Sequence, residues 1–405
     1  MPPRTRPEMG FGEFIGFIAA CMAINALAID IMLPALPLLT ASFHLTDPNQ
    51  AQTVIGVYLI GTGISQLFYG PISDRYGRRV ALTVGLLIFV LAGILSTLAE
   101  SFSTLLAARA LQGIGAGAPR VTAVALARDR YVGAQMAKVM SMAMVVFMVV
   151  PVLAPTLGQL VLFVAPWRWV FGMLVAAGIA VLWWMLLRLP ETLAPGERRS
   201  ISPASIYRAY RQTLTHRRTF GYMLALSLII GAHLSFISSA QQILVDIFGA
   251  GASFTVLFAL IAAATGLAAF FNARMVHRLG MRRICISGLI ALLIINVLHL
   301  TLELSGRENL LIFMLLQGAS VFIFGFLAAD LNALAMEPMG HIAGTASSMI
   351  GFFSTVSSAL IALFIGHLFN GTVIPLLGAY VALTILALGI TWRVGDQGSG
   401  IRDQI

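Results

Sequence analysis

The sequence predicts an all-α membrane protein of twelve transmembrane helices, arranged as two pseudo-symmetric bundles of six. Three observations predict it. Over 405 residues the chain is 59% hydrophobic and only 10% charged, with a mean hydropathy of +0.92, whereas a soluble chain carries roughly 25% charged residues. Apolar windows of about 20 residues recur along its whole length, each long enough to cross roughly 30 Å of hydrocarbon as a helix. The alternating ten-residue segments of a β-barrel do not occur. Finally, "GPISDRYGRR" at 70–79 is nearly repeated by "HRLGMRR" at 277–283, which divides the chain into similar halves.

The spans lie near 13–36, 52–72, 80–99, 104–126, 138–162 and 168–187, then near 219–242, 253–275, 283–302, 309–334, 342–367 and 372–392. Basic residues orient them. Of the 25 lysines and arginines, 21 fall on one side: Arg4, Arg6, Arg75, Arg78, Arg79, Arg128, Arg130, Lys138, seven from Arg188 to Arg218, Arg274, Arg278, Arg282, Arg283, Arg393 and Arg402. Loops on the other side hold only Arg168 and Arg307. The rule that cytoplasmic loops are positive places both termini in the cytoplasm of a multi-pass plasma-membrane protein, a bacterial inner membrane being the expected site. The net charge of +9 therefore reads as a face meeting anionic lipid, and not as a nucleic-acid surface. "MPPRTRPEMG" is a short basic lead-in to a retained helix, because the first apolar run is too long for a signal-peptide core.

Several function classes drop out. Two cysteines, Cys21 and Cys285, suggest neither a disulfide framework nor a metal site. No phosphate-binding glycine loop occupies an inside segment, which disfavours an ATP-driven pump. An integral-membrane enzyme would need a polar catalytic cluster or a sizeable soluble domain, and neither is present. No cofactor is expected.

The polar interval 188–218 separates an N-terminal bundle (1–187) from a C-terminal one (219–405). It reads as a linker, and its "PASIYRAYRQTL" as a basic interfacial helix. The halves match in motif: Gly77 and Gly280 follow the second span of each, and "LQG" recurs at 111–113 and 316–318 in the fourth. Two parallel six-helix repeats around a midplane cavity form an alternating-access transporter of small molecules.

Four charged residues lie well inside spans: Asp30, Arg109, Arg120 and Asp330. Each costs about 2.5–3.5 kcal/mol on insertion scales, so a functional role is the first expectation. Asp330 and Arg120 also suit a structural pair, or simple snorkelling. Arg109, Gln112 and Gly113 share one helix face, and Gly113 with Gly117 permits close helix packing. Counted at 1.5 Å per residue, Asp30 and Arg109 sit at the same depth, roughly 8–10 Å below the outer surface. Pro34, Pro37, Pro151 and Pro155 suggest bendable outer halves of helices 1 and 5. Tyr58, Phe147, Phe236, Gln112, Gln317 and His233 are candidates to line a cavity for lipophilic substrates, while His299 reads as a core residue. In the loop 70–79, Arg75, Arg78 and Arg79 enforce topology, but topology needs neither Asp74 nor Gly77. Asp74 could dock on the N-terminus of helix 11, and Asp129 is a second acidic partner for Arg78.

These residues carry a resemblance. The chain resembles the major facilitator superfamily along its whole length, and within it the proton-coupled drug-efflux group that includes bicyclomycin and chloramphenicol resistance proteins. "GPISDRYGRR" is similar to the loop 2–3 signature and "RALQGIGAG" to the fourth-helix motif. "AIDIMLPALP" resembles the first-helix motif of drug antiporters, "PVLAPTLGQL" the antiporter motif of helix 5, and "EPMGHIAGTASS" the start of helix 11 in the bicyclomycin-type branch. The helix-5 motif usually reads Gly-Pro; here it is Ala154-Pro155, with Pro151 before it and Gly158 one turn later. The resemblance implies the major facilitator fold, a charge-relay latch at Asp74, Arg75, Gly77, Arg78, Arg79 and Asp129, and helices 1 and 4 facing one cavity. Asp30 is then the expected proton carrier with Arg109 modulating it. The implied function is proton-driven efflux of small lipophilic or amphipathic compounds by a monomer. Symport or export of one specific metabolite is the alternative.

Overall fold

The computed structural model describes residues 9–193, 196 and 202–395. Arg4, Arg6, Arg198, Arg199 and Arg402, both chain ends and the middle of the linker lie outside the described residues. Twelve long helices follow one another: α1 (Phe11–Asp30), α2 (Thr53–Tyr76), α3 (Arg78–Thr97), α4 (Phe102–Arg130), α5 (Gly133–Val164), α6 (Arg168–Arg188), α7 (Arg217–Gln241), α8 (Phe254–Leu279), α9 (Met281–Leu304), α10 (Leu310–Met336), α11 (Ala343–His367) and α12 (Ile374–Gly395). No strand occurs among the described residues. The α4 helix carries Arg109 and Arg120 within its length.

The first helix is shorter than its apolar run. Its regular part stops at Asp30, and a single tight turn, Leu33–Ala35, leads into the short helix Leu36–Ser42. Pro34 and Pro37 cause the break, since neither supplies an N–H and each ring crowds the carbonyl four residues earlier. By contrast Pro71, Pro119, Pro151 and Pro155 are carried inside continuous helices. Between α6 and α7 the surface helix Pro203–Thr215 occupies the expected interfacial segment.

The chain forms two compact units. One comprises Val57–Pro203 with the chain up to His44; the other comprises Leu45–Gly56 with the chain from Ala204 onward. Within the first unit α1 packs on α4, α5 and α6, and α3 on α4 and α6. Within the second, α7 packs on α10, α11 and α12, and α9 on α10 and α12. Adding six to each helix number of the first set yields the second, so the repeat read from two motifs extends to these helix pairings. Lipid is as apolar as leucine, so these contacts are held by close packing more than by exclusion of water. The core of the second unit gathers Tyr222, Leu226, Leu289, Leu327, Leu331 and Ile350 from four helices.

The segment 45–56 is tied into the second unit by amides. Asn49 donates to the Phe369 carbonyl at 2.9 Å, and Gln242 donates to Asn49 at 2.9 Å. Gln52 in turn donates to Gln242 at 2.5 Å. Gln242 begins a wide turn of π-helix, Gln242–Ile247, that ends α7.

Candidate functional site

At the arginine-rich end of the first unit, α2 and α3 are joined by Gly77 alone, at φ 101° and ψ 156°. That conformation is open essentially only to glycine. A Cβ there would also lie 2.4 Å from the Glu191 carboxylate. The close approach has a purpose: Glu191 accepts the backbone N–H groups of Arg78 at 2.9 Å and Arg79 at 3.2 Å, satisfying donors that open α3. Arg78 is buried. Its Nε donates to Asp129 at 2.8 Å, and its Nη1 donates to Ser73 at 3.0 Å and pairs with Asp74. Arg79 reaches the Leu186 carbonyl at 3.0 Å, while Arg75 lies exposed against the Tyr76 ring. Topology alone asks for none of this wiring. Glu191 was not singled out from the sequence; its one signal was an acid placed among the arginines of the linker.

Deeper in the same unit, Arg109 is fully buried. Its Nη1 donates to Gln112 Oε1 at 2.7 Å, one helical turn along α4. Its Nη2 donates to the Ala28 carbonyl of α1 at 2.8 Å. The guanidinium also lies 4.4 Å from the centre of the Tyr58 ring, a cation–π contact that gains strength away from water. Ala28 is within the last turn of α1, where carbonyls lose their usual partners because the helix stops. Arg109 therefore stabilises the break in α1. The motif around it fits α4 between two neighbours: a Cβ at Gly113 or Gly117 would strike Tyr58 and Ser65 of α2, and one at Gly115 would strike α3 at Phe89.

Asp30 ends the regular part of α1 and is 4% exposed. Arg109 reaches the same last turn of α1, but at the Ala28 carbonyl, two residues before Asp30. Among the described residues no hydrogen bond or ion pair engages the Asp30 carboxyl. The helix-5 motif faces the same region: a Cβ at Gly158 would lie 2.3 Å from the Ile31 carbonyl and 3.1 Å from Pro34. Gly158 thus lets α5 press against the break, while α5 itself continues as one helix through Pro151 and Pro155. Phe147 is half-buried on α5, and Arg120 is exposed.

The second unit repeats the geometry with different chemistry. Gly280 joins α8 to α9 at φ 79° and ψ 145°, the counterpart of Gly77, but nothing lies within 4 Å of where its Cβ would be. Inside the bundle, neutral side chains form a hydrogen-bonded cluster. Ser320 donates to Asn296 at 3.1 Å, Asn296 to Thr384 at 3.3 Å, and Gln317 to the Tyr380 hydroxyl at 3.2 Å. With His233 these line a cavity of about 20 Å³, room for one water. Gln317 Oε1 is buried there without a partner, and His233 stacks on Phe324 at 4.0 Å. Gln317 and His233 were expected at a cavity; Asn296, Ser320, Tyr380 and Thr384 were not singled out. Phe236 is buried against Phe258 and Phe313 and belongs to the core. Asp330 accepts from Asn272 at 3.1 Å, and His299 pairs with Glu308 at 2.6 Å.

Comparison with known proteins agrees with this architecture. The profile of the Major Facilitator Superfamily matches residues 18–363. The uncharacterized MFS-type transporter YdgK of Bacillus subtilis is 29% identical over 392 residues, 94% of each chain. The multidrug resistance protein MdtL of Escherichia fergusonii is 29% identical over 370 residues, 91% of this chain and 92% of its own. Among solved structures, the human organic anion transporter MFSD10 superposes with a TM-score of 0.70 at 18% identity, covering 96% of this chain and all of that one. A D-xylose-proton symporter superposes with a TM-score of 0.71 at 14% identity, over 94% and 97% of the two chains. The chain belongs to the Major Facilitator Superfamily and is a multi-pass membrane transporter of small molecules.

Proposed function

Proceeding from that membership, we propose that the protein is a proton-coupled exporter of small lipophilic or amphipathic compounds, working as a monomer by alternating access in a bacterial inner membrane with both termini cytoplasmic. The observation that carries this reading is the pair of charges on one break: Asp30 ends the regular part of α1 out of water, and Arg109 holds the Ala28 carbonyl beside it. An ionised carboxylate in such a place costs roughly 3 kcal/mol and a neutral one far less. Hydrating the break from one side lets Asp30 take a proton, and hydrating it from the other lets the proton leave. Because the break is held by Arg109 and pressed by Gly158, a change of charge there acts on the path of α1 itself. The latch at Arg78, Asp74 and Asp129 ties together the inner ends of α2, α3 and α4. The relatives named multidrug resistance protein support drug efflux in particular. The cavity of neutral amides and hydroxyls in the second unit favours a second reading, transport of one defined polar metabolite.

Inverted membrane vesicles energised by respiration test the two. A cationic lipophilic dye is expected to accumulate only when the protein is present, and to leak out when an uncoupler is added. Asp30→Asn should abolish that uptake while leaving dye binding measurable. Uptake by Asp30→Asn at the wild-type rate, still driven by the pH gradient, would place the proton elsewhere. Failure of every lipophilic probe alongside proton-driven movement of a polar metabolite would favour the second reading.

A further inference from the structure

Where α7 begins and α12 ends, at the arginine-rich end of the second unit, a cavity of about 390 Å³ opens between the two helices. Arg217 and Arg393 line it together with the apolar side chains of Phe220, Leu224 and Ile390. Both arginines are exposed, and among the described residues neither makes a hydrogen bond or an ion pair. Among the described residues no carboxylate lines the cavity. Its floor is set by Gly221, whose missing side chain would otherwise lie 2.4 Å from Val394. Just beside it Trp392 is 55% exposed, as tryptophans are at the level of lipid headgroups.

We propose that this cavity is a binding site for one anionic phospholipid, its phosphate between Arg217 and Arg393 and an acyl chain along Phe220, Leu224 and Ile390. Size and charge argue for that occupant. The space exceeds by many times the roughly 30 Å³ share of one water molecule. Two guanidinium groups with no counter-charge suit a phosphate, to which arginine offers a planar fork of donors. The apolar wall continues outward through the partly exposed Phe220, which a lipid chain covers and a soluble phosphate does not. Basic pockets between transmembrane helices are where anionic headgroups settle. The site joins α7 and α12 beside the end of the surface helix Pro203–Thr215, whose Leu214 and Thr215 also line it.

The whole protein, purified in detergent and stripped of lipid, is the sample for native mass spectrometry with added phosphatidylglycerol or phosphatidylcholine. One phosphatidylglycerol per chain should be retained, and phosphatidylcholine should be lost at the same collision energy. Each arginine near a membrane surface is worth about fivefold in affinity, so Arg217→Gln with Arg393→Gln should weaken retention about 25-fold. Replacing both by lysine should restore most of it, and Arg283→Gln, on the same face, should change nothing. Binding to the wild type should weaken as salt rises to about 0.5 M, a reading that needs no variant to fold. Glycerol phosphate should fail to compete, since it lacks the acyl chain. Equal retention of the two lipids, full retention by the double glutamine variant, indifference to salt, or displacement by glycerol phosphate would each overturn the proposal.

Discussion

The two bundles share most of one helix-pairing scheme yet surround their buried polar groups differently. In the first unit two buried arginines are bound to fixed partners: Arg109 to the Ala28 carbonyl and Gln112, and Arg78 to Asp129, Asp74 and Ser73. Glu13 and Arg188 tie α1 to α6 through two hydrogen bonds of 2.8 and 2.7 Å. In the second unit Asn296, Ser320, Thr384, Gln317 and Tyr380 share short chains of hydrogen bonds around a small cavity, while Asp330, which accepts from Asn272, and the His299–Glu308 pair are buried elsewhere in it. A buried charge separated from its partner is costly, so charged contacts hold geometry firmly and respond to protonation. Amides and hydroxyls exchange partners with water or a ligand at little cost. The contrast fits the proposed division of labour, with proton coupling in the first unit and accommodation of polar substrate groups in the second.

The contrast should break first at Arg78. Arg78→Met leaves Asp129 without its cation and should lower stability by about 3 kcal/mol, the low end for a buried pair because Asp74 is partly exposed. Arg283→Met at the repeated loop should change stability by less than about 0.5 kcal/mol. Thermal unfolding of the two variants in one detergent is the measurement, and equal shifts would erase the distinction between the loops.

The glycines come next. Gly77→Ala meets both a left-handed backbone and the Glu191 carboxylate, for about 3 kcal/mol, whereas Gly280→Ala meets the backbone penalty alone, for about 1–2 kcal/mol. A Gly77→Ala variant no less stable than Gly280→Ala would show that the Glu191 cap contributes nothing.

Arg109→Lys keeps the charge but cannot hold Gln112 and the Ala28 carbonyl with one planar fork, so a loss of about 2 kcal/mol is expected. Retained stability with transport lost would mean that Arg109 acts on the proton and not on the break in α1. The smallest effect belongs to the neutral network: Asn296→Leu should cost about 1 kcal/mol. A loss as large as that of Arg78→Met would contradict the view that these amides exchange partners freely.

Much of this was legible in the residue order. Chain-long hydropathy, the arginine distribution and the doubled "LQG" and glycine-arginine motifs predict the helices and the repeat, because each depends only on local composition and spacing. Arg109 stood out since a charge inside a span is rare. Neutral polar residues raise no such flag: Asn296, Ser320 and Thr384 lie on three different helices and look like ordinary tolerated polar groups until the helices meet. Glu191 was hidden for another reason. Its partner, the start of α3, is over a hundred residues away in the chain.

The sequence by itself determined the class of protein, the number of helices, the position of the proline break in α1 and the residues too charged to lie in a membrane without a role. Those properties follow from transfer free energy and backbone sterics, which act within a few residues. Only the tertiary structure decided what each charge holds. It turned Arg109 onto the Ala28 carbonyl and Gln112, set Glu191 over the start of α3, and gathered amides and hydroxyls of the second unit around one cavity. Hydrogen bonds have direction and reach of about 3 Å. Which groups satisfy one another is therefore fixed by the angle at which distant helices pack, and a linear pattern of residues does not contain that angle.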